Sequence, residues 1–370
     1  MAVYIITLIC VLVYYFYIKI KSSYAYWESR KIKGPKPQYL FGNFRAVITK
    51  KESVTTLAAN IYKQFSTEQV IGIYQGWKPA LIVNDPELIN KVLVKHFETF
   101  SSRGIRTSEN NPLSKNLFAL DGEEWKVLRQ KLSPVFTPGK LKQMMPLMDN
   151  CVKQYLDYLD KLLERPDPLE MRSLKMKYTL KSITTIAFGL DIDTFSEDDC
   201  MFIEMANRLF RPQNSKIIIR GLLPGLLKKL VKIDFESPEL INFFLDLVSE
   251  IANERERKPK VRKDFMDFMI DLKEQETVTK SNAEGTAVLE ITDALIAAQA
   301  MVYYAAGFES SSGQRFAKVQ SMLGLAHFIR KIRVEPCERT TREIKFDPQK
   351  MMLTAIDGIW LTLKQRFDKP

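Results

Sequence analysis

The amino-acid sequence predicts a mainly α-helical protein with a small β region and one N-terminal transmembrane helix. An uncharged apolar run opens the chain, and many later segments have the amphipathic spacing of helices. Short extended runs occur near the end, at Lys331–Val334, Arg342–Phe346 and Met352–Thr362. With 370 residues, 46% of them hydrophobic and 27% charged, the chain is long and apolar enough to bury a core.

Charge and cysteine usage exclude several classes of protein. The net charge is +11, but the basic residues are spread along the chain and form no run interleaved with aromatics. We therefore expect no nucleic-acid binding. The four cysteines are far apart in sequence and form no CxxC pair, which argues against a disulfide framework and for a reducing compartment. Two histidines are too few to favour a histidine-based zinc site.

The N-terminus is predicted to be an uncleaved membrane anchor. Ala2 to Ile18 carry no charged side chain, which is near the short end of the roughly 17–25 residues that span a bilayer. Basic residues follow from Lys19 onward and none precedes the run, so the bulk of the chain is expected in the cytosol. A cleaved signal peptide is the alternative, but the run lacks a basic start and a small-residue cleavage site.

This pattern divides the chain into four predicted segments. Residues 1–20 form the transmembrane anchor. Residues 21–50 form a basic, proline-rich hinge, in which Pro35 and Pro37 fix the backbone and stiffen the connector. Residues 51–312 and 313–370 are the N-terminal part and the C-terminal fragment of one further domain.

The domain itself is predicted to be largely helical. A hairpin is expected around Gln75-Gly76-Trp77, and the polar stretch Gln275–Glu290 is predicted to be a loop. Lys216–Ile233 alternates apolar and basic residues, which fits an interfacial segment and a pair of short core helices equally well. The predicted helices are Leu57–Phe65, Pro86–Lys95, Asp121–Ser133, Met148–Leu163, Leu174–Phe188, Asp198–Leu209, Pro238–Arg257 and Gly313–Arg330.

One predicted helix is apolar almost all round and is therefore expected to be buried. Thr292 is its predicted N-cap, and Ala294 to Gly307 carry hardly any polar side chain. At its end, Glu309 stands beside Ser310, a pairing that can relay protons. The alternative is a solvated helix end with an exposed glutamate, which is the commoner situation for such residues.

A second constellation lies in the predicted helix Asp121–Ser133. Trp125 and Arg129 are four residues apart, so they share one helix face. An indole N–H and a guanidinium on one face can clamp an anionic group. The alternative is a tryptophan packed on the arginine stem.

Together these motifs resemble the cytochrome P-450 family of haem-thiolate monooxygenases. Ala306-Gly307-Phe308-Glu309-Ser310 resembles the oxygen-activating motif, and Trp125-Lys126-Val127-Leu128-Arg129 resembles the haem-propionate helix. Gly313-Gln314-Arg315-Phe316-Ala317 is similar to the sequence that follows the cysteine ligand. Arg262-Lys263-Asp264-Phe265 resembles insect members that handle toxins and hormones, and the anchor and hinge resemble those of microsomal members.

The resemblance implies a cytochrome P-450 fold with haem b between the buried helix and a cysteine loop. It implies oxidation of apolar small molecules by O2, with electrons from NADPH through a separate cytochrome reductase, at the endoplasmic reticulum membrane. Glu309 and Ser310 would deliver protons, with Ser310 in place of the usual threonine. The implied cofactor-binding residues are Trp125, Arg129, Ala306, Gly307, Gly313, Arg315 and Phe316.

The chain departs from the family pattern at one point, which makes the predicted fold incomplete. Family members carry a long segment with a Glu-x-x-Arg helix and the cysteine loop where Ser312 here joins Gly313 directly, and Ser311 stands at the cysteine position. Glu254 and Arg257 have the Glu-x-x-Arg spacing but lie in a charged stretch, and Cys337 lacks the context of a cysteine loop. No metal ligand is therefore predicted.

Since a serine hydroxyl cannot replace the thiolate, we expect weak or no haem binding and no normal monooxygenase activity from the chain as written. A splice variant and a gene-model error both explain the internal deletion. A non-catalytic membrane protein that competes for the reductase or binds a hydrophobic molecule is the alternative function. A membrane-tethered helical interaction protein is a third hypothesis, which sets the resemblance aside.

Overall fold

The computed structural model describes residues 1–105, 111–165, 167–196, 201–210, 237–256, 264–274, 277–282, 285–308, 314–350 and 353–366. The chain divides into two compact units. The first contains residues 1–101 and 346–354, and the second contains most of the remainder, from residue 102 onward.

The first unit combines the N-terminal helix with a hairpin and short helices. Its elements are α1 (Ala2–Tyr24), α2 (Arg45–Ile48), α3 (Val54–Gln64), β1 (Val70–Gln75), β2 (Lys78–Val83) and α4 (Pro86–Asn90). The hairpin pairs Gln75 with Lys78 across the predicted turn, so this prediction is confirmed. Asp85 caps α4 by accepting a hydrogen bond from the Leu88 amide at 2.8 Å, with Pro86 in the first helical position.

Helix α1 is the one helix in the described part of the chain that is long and apolar enough to cross a membrane. Its end is tied to the hairpin, because the Tyr74 hydroxyl donates to the Tyr24 carbonyl at 2.8 Å. Just beyond, the Trp27 indole donates to the Ile73 carbonyl at 2.9 Å. Gly72 lets the indole approach, since a Cβ there would lie 2.6 Å from its Cγ. The start of the predicted hinge segment therefore packs on β1.

The second unit is a helical body with two small sheets. Its helices are α5 (Gly122–Leu132), α6 (Pro138–Leu163), α7 (Met171–Ile183), α8 (Met201–Leu209), α9 (Pro238–Glu256), α10 (Phe265–Glu274), α11 (Asp293–Phe308) and α12 (Gln314–Lys331). Its strands are β3 (Leu169–Glu170), β4 (Thr277–Asn282), β5 (Gly285–Glu290), β6 (Ile332–Pro336) and β7 (Trp360–Gln365). The antiparallel order β3-β7-β6 forms one sheet, and β4-β5 forms a hairpin. The predicted class, mainly α with a small β region, is confirmed.

Four helices form a bundle in which α7 contacts both α6 and α11, and α12 packs on α6. Helix α6 begins at Pro138 directly after Thr137, ten residues before the predicted start at Met148. Helix α9 also packs on the buried helix α11. The largest cluster of buried apolar side chains lies here and includes Phe188, Phe244 and Tyr304. The core of the second unit therefore surrounds α11.

A buried ion cluster fastens α9 to α10. The Arg255 guanidinium donates from Nη1 to Asp264 Oδ1 and to Asp267 Oδ1, each at 2.5 Å. Its Nη2 donates to the carbonyl of Phe188 at 2.8 Å. The three charged side chains are 17%, 2% and 8% exposed, so their charges are compensated away from water.

One local prediction was wrong, and another was correct only in part. Gln275–Glu290 was predicted to be a loop, but it contains the hairpin β4–β5, with Asn282 opposite Gly285. Its threonines and valines favour extended backbone, and pairing satisfies the backbone of an otherwise polar segment. The extended run predicted at Arg342–Phe346 forms no strand among the described residues, but Phe346 takes part in a β-bridge and the Ile356 amide donates to the Lys345 carbonyl at 2.9 Å. The segment Lys216–Ile233 lies outside the described residues.

Candidate functional site

Helix α11 is capped at its start and buried along its length. The Thr292 hydroxyl accepts a hydrogen bond from the Leu295 amide at 3.1 Å, which confirms the predicted cap. Ala297, Ala298 and Ala300 are completely buried, and small side chains of this kind let neighbouring helices approach closely. The predicted burial of this helix is confirmed, and it places Ala306 and Gly307 in the last turn.

Gln299 is the polar exception on this helix, and the sequence interpretation did not assign it a role. Its side chain is 2% exposed. The Leu117 amide donates to its Oε1 at 2.8 Å, and its Nε2 donates to the Lys115 carbonyl at 3.0 Å. Gln299 therefore ties the segment that leads into α5 to the centre of α11. A single amide side chain in an apolar helix indicates that this side chain has a buried polar partner, but it does not identify that partner.

Tyr303 is a second residue that the sequence interpretation missed. Its ring stacks on Phe265 of α10, with centroids 4.3 Å apart, and on Phe136, with centroids 5.3 Å apart. Burial raises the pKa of the Tyr303 hydroxyl above its ordinary value. The stacked rings fix this face of α11 against α10 and against the turn that precedes α6.

Gly307 lies where α11 meets α7. A Cβ on Gly307 would lie 2.6 Å from Cδ1 of Ile183, so glycine allows the two helices to touch. The next residues of the predicted motif, Glu309 and Ser310, lie outside the described residues, as do Ser311, Ser312 and Gly313. Their roles stay predictions.

The predicted clamp residues lie together on α5 but differ in exposure. Trp125 is partly buried and packs against the large cluster around α11. Arg129 is exposed and forms no ion pair with any side chain that the structure describes. Both clamp residues therefore belong to the second unit, with the indole directed into the core and the guanidinium available to solvent.

Phe316 is buried elsewhere. It is 2% exposed and packs with Leu141, Met148 and Ile186. This cluster is formed by α6, α12 and the helical turn Thr184–Phe188 that follows α7, and it is separate from the one around α11. Arg315 lies in the first turn of α12. The structure thus brings Trp125, Ala306 and Gly307 to the core around α11 and its contact with α7, and it places Phe316 against α6.

Comparison with known proteins settles the family. The family model described as Cytochrome P450 matches residues 32–313. The chain belongs to the cytochrome P450 family. It is 35% identical over 310 residues to cytochrome P450 6B7 of Helicoverpa armigera, covering 84% of this chain and 61% of that protein. It is 36% identical to cytochrome P450 6B2 of the same insect, with the same coverage.

Other insect relatives give similar values. Cytochrome P450 6k1 of Blattella germanica is 32% identical over 310 residues, which is 80% of this chain and 59% of that protein. A Drosophila melanogaster relative is 31% identical over 369 residues, covering 97% of this chain and 72% of its own length. This cytochrome P450 chain therefore resembles the insect type that its motifs indicated, but it spans about 61% of the first relatives it matches.

The family implies a haem cofactor, whose iron a cysteine sulfur would hold. Helices α11 and α12 are joined by five residues, Glu309 to Gly313, none of which is cysteine. Cys151 is buried, with its Sγ 4.0 Å from the Lys181 carbonyl, and Cys337 accepts a hydrogen bond from the Thr340 hydroxyl in a turn after β6. Cys10 is exposed on α1.

The described residues also contain no group of three His, Cys, Asp or Glu side chains that could hold a metal ion. The residues of α11, of α12 and of the connection between them do not fit a thiolate-ligated haem, because that group requires a cysteine sulfur on the iron and none of these residues is cysteine.

Proposed function

We propose that the complete form of this protein is a haem-dependent monooxygenase, and that the chain as written does not carry out the reaction. The complete form would oxidise apolar small molecules such as xenobiotics or hormones, with O2 and with electrons from an NADPH-dependent cytochrome reductase. Family membership and the insect relatives support the first part. The five-residue, cysteine-free connection between α11 and α12 carries the second.

The proposal also includes the membrane location of the protein and the roles of four residues. Helix α1 would anchor the protein in the endoplasmic reticulum membrane, with the bulk of the chain on the cytosolic side. In a form that contains the cysteine loop, Glu309 and Ser310 are the proposed proton donors, and Trp125 and Arg129 the proposed contacts of a haem propionate. The partly buried indole and the exposed guanidinium on one face of α5 are compatible with such a contact.

The first test is to sequence the transcript across the codons for Ser312 and Gly313 from the tissue that expresses it. A longer product that encodes a Glu-x-x-Arg helix and a cysteine loop supports the monooxygenase proposal for the complete form. A sole product in which Ser312 joins Gly313 would overturn that part, and function would then have to be sought in binding.

The second test measures the haem itself. The chain as written is purified with added haemin, reduced and treated with carbon monoxide, and its absorption spectrum is recorded beside that of the longer product. We expect the band of a thiolate-ligated haem only in the longer product. That band in the chain as written would contradict the proposal. Single cysteine-to-serine variants at Cys10, Cys151, Cys200 and Cys337 would then identify its sulfur.

The second candidate is a non-catalytic membrane protein that competes for the reductase or binds a hydrophobic molecule. The net charge of +11 favours docking to an acidic partner surface. The test adds the purified chain to an active family member and its reductase in vesicles. Competition predicts a loss of turnover that excess reductase restores.

A further inference from the structure

A groove between α6 and α12 has the size of a ligand pocket. It encloses about 630 Å³, within the range of roughly 300–1,000 Å³ that is usual for small-molecule sites. Leu141 and Met145 line it from α6, and Val319 and Met322 line it from α12. Leu141 belongs to the buried cluster around Phe316, so the groove has a packed apolar base.

The methionines of this groove are unusually open to solvent. Met322 is 62% exposed and Met145 is 36% exposed, although both border a concave apolar surface. Methionine side chains are flexible and polarisable, and they adapt to apolar ligands of irregular shape. Exposed apolar side chains around a cavity are a feature of binding surfaces.

Two lysines line the groove and make it favourable for a negatively charged ligand. Lys142 lines it from α6 and Lys318 from α12, and both residues are exposed. Neither forms an ion pair with a side chain in the described ranges, whereas Lys153, farther along α6, pairs with Asp149 at 2.9 Å. Two ammonium groups that line one cavity repel each other, and an anion between them relieves that repulsion.

We propose that this groove binds a single-chain anionic amphiphile, namely a fatty-acid carboxylate. The hydrocarbon chain would lie along Leu141, Met145, Val319 and Met322, and the carboxylate would accept hydrogen bonds from Lys142 and Lys318. An apolar trough with a cationic pair matches a ligand with one apolar chain and one negative head. This inference specifies a ligand for the hydrophobe-binding alternative, and it does not depend on haem or on the α11–α12 connection.

The experiment uses the full chain in phospholipid nanodiscs, labelled with 13C at its methionine methyl groups. Laurate is titrated, and the signals of Met145 and Met322 are assigned with Met145→Leu and Met322→Leu variants. We expect both signals to shift saturably, while that of Met266, which is fully buried in the cluster around α11, stays in place. The absence of a saturable shift at Met145 and Met322 would overturn the proposal.

Charge-reversal variants test the recognition of the carboxylate. Reversing both groove charges, Lys142→Glu with Lys318→Glu, is expected to weaken laurate binding about tenfold, since two attractive charge contacts become repulsive. Lys161→Glu makes the same kind of change on α6, about 28 Å along the helix axis from Lys142, and is expected to have no effect.

Uncharged dodecanol separates the carboxylate from the chain. We expect it to bind more weakly than laurate and to bind the double variant and the unaltered chain alike. Equal affinity for laurate and dodecanol would contradict carboxylate recognition. Shifts at Met145 and Met322 that follow protein concentration without laurate would mean that a second copy of the chain occupies the groove, which also contradicts the proposal.

Discussion

Gly324 of α12 lies directly against the ring of Tyr178 of α7. A Cβ on Gly324 would be 2.7 Å from Cε1 of Tyr178, and the Tyr178 hydroxyl donates to the carbonyl of Gln320 at 3.1 Å, one turn earlier on α12. The hydroxyl and the missing side chain therefore fix the distance between these two helices.

Replacing this glycine is expected to destabilise the second unit. Gly324→Ala forces the ring of a buried tyrosine to move, and overpacking of this kind costs about 1–3 kcal/mol, more than the roughly 1 kcal/mol gained in helix propensity. Gly139→Ala, where a Cβ meets nothing within 4 Å, is the matched control and should be neutral or stabilising. Chemical unfolding followed by circular dichroism measures both, and equal stabilities would contradict the tight contact.

Because Tyr178 is buried, the free energy of unfolding is expected to fall at high pH. Burial raises the pKa of Tyr178 to about 12, from an ordinary value of 10.0. Between these values the unfolded chain releases a proton that the folded chain keeps, so stability falls as the pH rises, by up to about 2 kcal/mol. Tyr178→Phe should lose less stability than the unaltered chain from pH 10 to 12. The exposed Tyr62→Phe should behave like the unaltered chain.

The ion cluster of α9 and α10 predicts a large effect from one arginine. Arg255→Gln leaves two buried carboxylates without their shared cation, and breaking a buried pair costs about 3–5 kcal/mol. Arg208→Gln removes a partly exposed arginine from its pairs with the exposed Glu204 and Glu239, and it should cost about 1 kcal/mol or less. If Arg255→Gln and Arg208→Gln lowered the free energy of unfolding by similar amounts, the buried ion cluster would contribute no more to stability than the more exposed pairs of Arg208, contrary to this prediction.

Gln299 predicts a local effect at the segment before α5. Gln299→Leu removes the acceptor of the Leu117 amide, and an unsatisfied buried donor costs about 1–3 kcal/mol. Hydrogen exchange at Leu117 should accelerate, while Gln130→Leu on the exposed face of α5 should leave it unchanged. Unaltered exchange in Gln299→Leu would mean that this contact does not hold the segment.

The two described cysteines of the second unit should differ in reactivity. Burial raises the pKa of the Cys151 thiol, so little thiolate forms near pH 8, and the side chain is fully buried. Cys337 is partly exposed. Iodoacetamide should modify Cys337 first, as measured by peptide mass spectrometry, and both cysteines should react in denaturant. Equal native rates would contradict the burial of Cys151.

Local signals in the sequence predicted much of the architecture. The Thr292 cap, the proline at the start of α4 and the Gln75–Trp77 turn each act within a few residues, so the sequence is sufficient to locate them. The hairpin β4–β5 was missed because its polar residues gain their stability only from pairing. The contact of Gln299 with Leu117 spans 182 residues in sequence, and no local pattern reveals such a partner.

The candidate site was predicted less completely. The family motifs located α5, α11 and α12 in the right order, and the cysteine-free connection was evident from the residues themselves. Family order did not reveal that Phe316 packs against α6 and the helical turn after α7, because that contact depends on how α12 crosses the bundle. The role of Phe316 toward haem stays a prediction.

Both helices that flank the five-residue connection are held by α7, α11 through Gly307 on Ile183 and α12 through Gly324 on Tyr178. The bundle thus holds the chain on both sides of this connection. A segment inserted at this connection would begin and end at two helices, α11 and α12, that are both in contact with α7. Five residues between α11 and α12 are therefore enough for both helices to reach their contacts with α7.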